Sequence, residues 1–181
     1  MQRLHAPQIE CKVSWKVLDK NGEVISEGAK GGDICLENFA KVLMAILSAS
    51  DDYTAVDTNG TSFNIRGSSQ TRTGVVKIAF GTGTTTPTKN DYALASEYER
   101  KDASCTWEQD DTNKRYILRF TATFTPSEAV TVAEVGLLQI VYDTGGSTHW
   151  TFYFRDLIGP EEVPAGGGFT VTYELYISFG G

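Results

Sequence analysis

Apolar and polar residues alternate strictly at the start of the chain. Ile9, Cys11, Val13, Trp15 and Val17 fall on one side, and Glu10, Lys12, Ser14 and Lys16 on the other. A period of two is that of a strand with one buried and one wet face. Asn21-Gly22 comes next, followed by Glu23-Val24-Ile25-Ser26. Asn-Gly tolerates the positive φ angles of a type I′ turn, so residues 9–28 are predicted to form an N-terminal hairpin. The same alternation recurs at Val76, Ile78 and Phe80, from Tyr116 to Phe124, at Trp150, Phe152 and Phe154, and from Phe169 to Phe179. Between residues 130 and 140 the phase slips at Ala133-Glu134-Val135-Gly136-Leu137. A slip beside a glycine predicts a β-bulge there.

One segment has a different period. Leu36, Phe39, Ala40, Leu43 and Leu47 recur at helical spacing behind Asp33, a candidate N-cap. This predicts a helix over about 34–48 with that stripe in the core. Residues 50–74 are polar around Asn59-Gly60 and read as a long hairpin or a Ser/Thr-rich loop, and Tyr92 and Leu94 stand as anchors in a polar stretch further on. Seven to nine strands and one helix predict a mainly β fold, an antiparallel β-sandwich or jelly-roll-like architecture. The pattern shows one domain over 1–181: the hairpin 9–28, the helix 34–48 and a strand-rich body 75–179. Trp15, Phe120 and Tyr173 belong to its inward rows. The last strand runs to the end of the sequence and reads as an edge available to a neighbour.

Composition narrows the function classes. The 181 residues are 40% hydrophobic, with nine Phe, eight Tyr and three Trp, enough to fill a two-layer core. The net charge of −7 repels phosphate backbones, so no nucleic-acid partner is expected. No apolar run approaches the roughly 18 residues of a membrane span. The first residues, MQRLHAPQIECKVSW, hold no apolar signal region, which points to folding in a cytoplasm. Cys11, Cys35 and Cys105 are odd in number and lack metal-ligand spacing, so neither a disulfide framework nor a metal site is expected from them.

Candidate chemistry is sparse, and no catalytic residue or cofactor is predicted. Gly81-Thr82-Gly83 follows a strand but continues as Thr84-Thr85-Thr86-Pro87, without the third glycine or the Gly-Lys-Ser/Thr of a phosphate loop. His5 and His149 are the only histidines, which leaves a nucleophilic triad almost no base. The adjacent acids Asp51-Asp52, Asp110-Asp111 and Glu161-Glu162 read as solvated turns, with Ca²⁺ binding left open. Glu134, inside an apolar strand, needs a partner, for which Arg119 and Arg155 are the candidates for a structural ion pair. Tyr153 and Tyr176 lie opposite the apolar rows, where they would meet a second sheet, the helix or a neighbouring subunit, or else form a platform for a glycan.

Taken in order, several of these segments resemble a pattern found in structural proteins of tailed bacteriophages and related prokaryotic viruses, archaeal viruses included. They are the helix Leu36–Leu47, Val76-Lys77-Ile78-Ala79-Phe80-Gly81-Thr82-Gly83, Asp91-Tyr92-Ala93-Leu94, the strand Phe120–Phe124, Glu134-Val135-Gly136-Leu137-Leu138, the aromatic strand ending in Arg155, and Val163-Pro164-Ala165-Gly166-Gly167-Gly168-Phe169. The resemblance spans roughly residues 35–179. It implies a virion component made in the host cytoplasm, of the capsid decoration, turret or tail type, with no catalytic residues. Its partners would be copies of itself, in a trimer or higher ring, and other virion proteins. The alternative is a carbohydrate- or receptor-binding module that meets a host-surface glycan.

Overall fold

The structure, a computed structural model, describes residues 9–31, 35–67 and 75–178. His5, Asp33 and Phe179 lie outside these residues. Within them the chain forms β1 (Ile9–Leu18), β2 (Val24–Gly31), α1 (Glu37–Ser48), β3 (Thr54–Val56), β4 (Ser62–Asn64), β5 (Val76–Gly81), β6 (Glu97–Asp102), β7 (Ser104–Asp110), β8 (Arg115–Phe124), β9 (Val130–Tyr142), β10 (Thr148–Val163) and β11 (Gly168–Ser178). A five-stranded sheet in the order β2-β1-β11-β8-β7 packs on a four-stranded one in the order β10-β9-β5-β6, and β3-β4 is a separate hairpin. All pairings are antiparallel, so the molecule is an antiparallel β-sandwich with one helix.

The alternating rows become the core. Val13, Tyr173 and Phe120 stand side by side across β1, β11 and β8, as do Val17, Phe169 and Phe124. Phe80 of the second sheet inserts between the layers, edge-on to Phe124 (4.8 Å) and Phe169 (5.6 Å). The C-terminal strand is not an edge, contrary to the sequence reading. β11 is the middle strand of its sheet because its apolar residues match in register those of β1 on one side and β8 on the other.

Two irregularities correct the predicted bulge. Opposite Leu137-Leu138 of β9, the pairing shifts between Phe152 and Phe154, so Tyr153 is the extra residue, and a second shift lies between Leu157 and Glu161 beside Glu134. The first shift moves Phe152 into a separate cluster with Leu36, Ala79, Leu94 and Leu138, while Tyr153 and Phe154 join the main core. Phe152 and Phe154 therefore do not share a face as their spacing suggests. The second cluster also explains why β9 is buried almost continuously from Val132 to Leu138: its sheet is covered on both sides.

The first hairpin closes on a different turn from the one predicted. Gly22 N–H donates to the Asp19 carbonyl, Asp19 N–H to the Glu23 carbonyl, and only Gly22 has a positive φ (86°). This is a three-residue loop, a type I turn followed by a left-handed glycine. The Asp19 carboxylate selects it by accepting the N–H groups of Asn21 and Glu23. Asp57–Thr61 repeats the arrangement, and Asp143–Ser147 follows it closely, with Gly60 and Gly146 in the left-handed position.

Helix α1 starts three residues later than predicted, and its predicted stripe is only partly inward: Leu36 is fully buried and Phe39 packs against Tyr153 and Phe154, whereas Ala40 and Leu47 are exposed. Its N-cap is Leu36, with no side-chain cap, and Glu37 N–H donates to the Lys89 carbonyl instead. Asn38, Val42 and Ala45 are the buried side, Asn38 being tied to both the N–H and the carbonyl of Val56. Leu47, placed in the core stripe by spacing, is 73% exposed. At the C-cap Ala49 holds φ 51°, a left-handed conformation that costs a residue with a Cβ more than it costs glycine. Ala49→Gly is therefore expected to raise stability by about 0.5–1 kcal/mol, read as a higher urea midpoint at unchanged slope.

Candidate functional site

The densest polar constellation sits on the outer face of the four-stranded sheet, beneath the loop from Thr82 to Ser96. Glu134 of β9 is fully buried, and its carboxylate accepts N–H groups from Gly83 (3.1 Å), Ala95 (3.0 Å) and Ser96 (2.7 Å). Arg155 of β10, 3% exposed, donates Nε to the same carboxylate at 2.9 Å. Its two remaining nitrogens reach the Asp91 carboxylate and the Thr85 carbonyl. Burial alone would raise the Asp91 pKa, but donation from Thr88 and Arg155 outweighs it and holds the carboxyl below its usual range. The loop closes where Thr82 N–H meets the Ser96 carbonyl at 2.9 Å.

This geometry accounts for Gly81-Thr82-Gly83. A Cβ on Gly81 would stand 2.3 Å from the Ser96 carbonyl oxygen, and one on Gly83 2.3 Å from Glu134 Oε1. The glycines make room for a buried carboxylate and a loop backbone rather than for a phosphate. Every lone-pair direction of Glu134 that the surroundings reach is occupied by a donor, so the group functions as a loop anchor.

Of the two arginines considered for Glu134, the structure brings only Arg155 to it. Arg119 lies on the outer face of the other sheet, bridging Glu174 (2.6 Å) and Glu108 (2.8 Å). Those two carboxylates, Glu108 first, keep its guanidinium firmly charged. The two tyrosines separate as well. Tyr153 is buried against Phe39 of α1 (ring centroids 5.3 Å), which removes it from any surface contact. The extra residue in β10 turned it inward. Tyr176 stays on the outer face, half-buried, with the Arg115 guanidinium 4.5 Å from its ring centroid. Burial and the Glu174 carboxylate push its hydroxyl pKa up to about 12.

The adjacent acids do not act as pairs. Glu161 accepts Trp15 Nε1 (2.8 Å) and the Ser26 hydroxyl (2.6 Å), whereas Glu162 accepts the Thr131 hydroxyl. Asp110 holds Asn113 and Arg115, and Asp111 takes the Gln109 amide. Asp51 accepts the Gly67 N–H, and Asp52 the Ser50 hydroxyl. Among the described residues no group of three or more His, Cys, Asp or Glu side chains could hold a metal ion. None of the three cysteines is in a disulfide; Cys11 is buried, and Cys35 and Cys105 are exposed.

A second constellation was not legible in advance. His149 stacks on Phe63 (centroids 4.0 Å, planes 6° apart), with Nδ1 3.1 Å from Asp57 Oδ2 and Nε2 3.3 Å from Asp143 Oδ2. Each aspartate spends Oδ1 on its own turn and Oδ2 on the imidazole, so one histidine ties the β3–β4 turn to the β9–β10 turn. The recurring Asp four residues ahead of Thr61 and Ser147 is the signal that could have shown it. Burial tends to raise Asp57, but the Thr61 and Asn59 N–H groups and His149 bring it below its usual range. Asp143 is lowered chiefly by the Ser147 N–H, against burial and with help from His149. Carboxyls depressed in the fold stabilise it above their unfolded values, near pH 4, and that contribution is lost as pH falls further. His149→Ala is accordingly expected to flatten the acid limb of the stability–pH curve below about pH 4. An unchanged limb would show that the depression comes from the turn N–H groups of Asn59, Thr61 and Ser147 and not from the imidazole.

Compared with known protein families, curated proteins and solved structures, the chain matches none of them.

Proposed function

We propose that this chain is a structural component of a virus particle, a capsid decoration, turret or tail part that assembles with copies of itself and contacts other particle subunits. The order of segments set out from the sequence supports the particle setting. The observation that carries the assembly role is the outward side of α1. Met44, Ile46 and Leu47 are 47%, 47% and 73% exposed, while the helix turns Asn38, Val42 and Ala45 inward. An apolar helix face left in water at that cost is characteristic of a surface that another protein covers. The buried Glu134 fits the same role, since it pins the Thr82–Ser96 loop to the sheet.

Mass spectrometry of purified particles from a culture producing this protein tests the proposal. The expected result is the chain in stoichiometric, many-copy amounts relative to the major coat protein. Its absence from particles purified to constant composition would overturn the reading.

A further inference from the structure

We propose that the edge strand β7 is a self-association surface, on which a second copy of this chain pairs its own β7 antiparallel to form a continuous ten-stranded sheet. This rests on the assembly role proposed above and names the surface that would serve it.

The sandwich has four edge strands among the described residues: β2 and β7 in one sheet, β10 and β6 in the other. An edge strand presents unpaired backbone groups, and folds that stay monomeric guard such edges with charge, proline, bulges or covering segments. Three of the four are guarded. The β10 edge carries two irregularities and Pro160, and it is covered by Cys35-Leu36 and by Thr58, whose N–H donates to the Trp150 carbonyl. β6 reads Glu97-Tyr98-Glu99-Arg100-Lys101-Asp102, five charges in six residues. β2 carries Glu27 and Lys30 among two glycines, and its pairing shifts at Leu18.

β7 is the least guarded: its two charges, Glu108 and Asp110, sit at its C-terminal end and are each neutralised by an arginine of β8, and among the described residues it has no proline, bulge or covering segment. Ser104-Cys105-Thr106-Trp107 is uncharged, free of proline and glycine, and regular in register with β8 through Asp110. Every residue from Ser104 to Gln109 is exposed, and Trp107 at its centre is 69% exposed. Trp107 stands beside Leu118 and Gln109 beside Tyr116, itself 41% exposed, so the apolar row of β8 runs out to the edge uncovered.

The strand is suited to itself. A two-fold axis through Trp107, normal to the sheet, sets Trp107 against its own copy, Cys105 against Gln109, Thr106 against Glu108 and Ser104 against Asp110. No like charges meet, and Glu108 and Asp110 are each already paired with an arginine of their own chain, Arg119 and Arg115. Centring the axis on Glu108 instead would oppose two glutamates, and centring it nearer Ser104 would shorten the paired segment, so the Trp107 register pairs the whole strand without like charges facing. The paired segment is about 23 Å long, and the two tryptophans meet at its centre, where aromatic anchors contribute most.

Sedimentation analysis of the full chain, with Trp107→Lys and the control Ile25→Lys on β2, tests this. The wild type and Ile25→Lys are expected to dimerise at micromolar concentrations, and Trp107→Lys to raise the dissociation constant at least tenfold with an unchanged circular dichroism spectrum. In a Cys35→Ser background, Gln109→Cys is expected to give a covalent dimer with oxidised glutathione, because Cys105 of one copy then faces position 109 of the other. The same two positions within one chain are too far apart to bridge. A dimer that Trp107→Lys leaves intact overturns the β7 surface and leaves the assembly role standing on another face. A wild type that is monomeric up to about 100 μM overturns self-association altogether.

Discussion

Replacing Glu134 with alanine should destabilise the fold by about 3–5 kcal/mol, a drop in melting temperature of roughly 10 °C for a chain of this size. The substitution removes more than one contact. It leaves the Gly83, Ala95 and Ser96 N–H groups without their acceptor and Arg155, 3% exposed, with only Asp91 and the Thr85 carbonyl. Glu134→Gln keeps the shape but turns an amide NH₂ toward donors, so its cost should fall between that of alanine and the wild type. The loop should report the loss directly, through protease cleavage between Thr82 and Ser96 at temperatures where the rest of the sandwich remains folded. Melting within a degree or two of the wild type would show that the buried ion pair contributes little beyond what an uncharged replacement supplies.

Phe80→Ala should cost a comparable amount, about 3–5 kcal/mol, for a different reason. Phe80 is fully buried between the sheets and touches Phe124, Phe169 and Tyr98, so truncation leaves a cavity whose walls belong to both layers. Trp107→Ala offers the contrast within the same sandwich. A ring 69% exposed on an edge strand has little to lose in a single molecule, and its replacement should stay within about 0.5 kcal/mol in urea unfolding of the dilute protein. If the two substitutions cost the same, the assignment of Phe80 to the core and Trp107 to the surface fails.

What could be read ahead of the structure followed how many faces of an element are buried. β1, β8 and β11 bury one face and wet the other, so their alternation marks them plainly, and the antiparallel sandwich follows. β6 and β7 escaped because edge strands on the rim bury almost nothing, leaving no period to see. β9 escaped a clean reading for the opposite reason, since both its faces are covered. The helix was placed within a few residues, but of its stripe only Leu36 and Phe39 pack inward, and the buried side is centred elsewhere. A single polar residue, Asn38, secures the inner face by bonding Val56, and periodicity assigns polar residues to water.

The sequence by itself determined the architecture class, the single helix, the glycine-marked turns and the need of Glu134 for a cationic partner. These depend on local periodicity and on the cost of burying a lone charge, both carried by neighbouring residues. Only the tertiary structure decided that Arg155 rather than Arg119 is that partner, that Tyr153 is buried while Tyr176 is not, and that β7 rather than β11 is a sheet edge. The edge and the choice of arginine depend on strand order, and the burial of Tyr153 on the one extra residue in β10, which reverses the faces of the part of that strand before it. Strand order is set by the matching of apolar rows that lie far apart in the chain, and no local spacing records it.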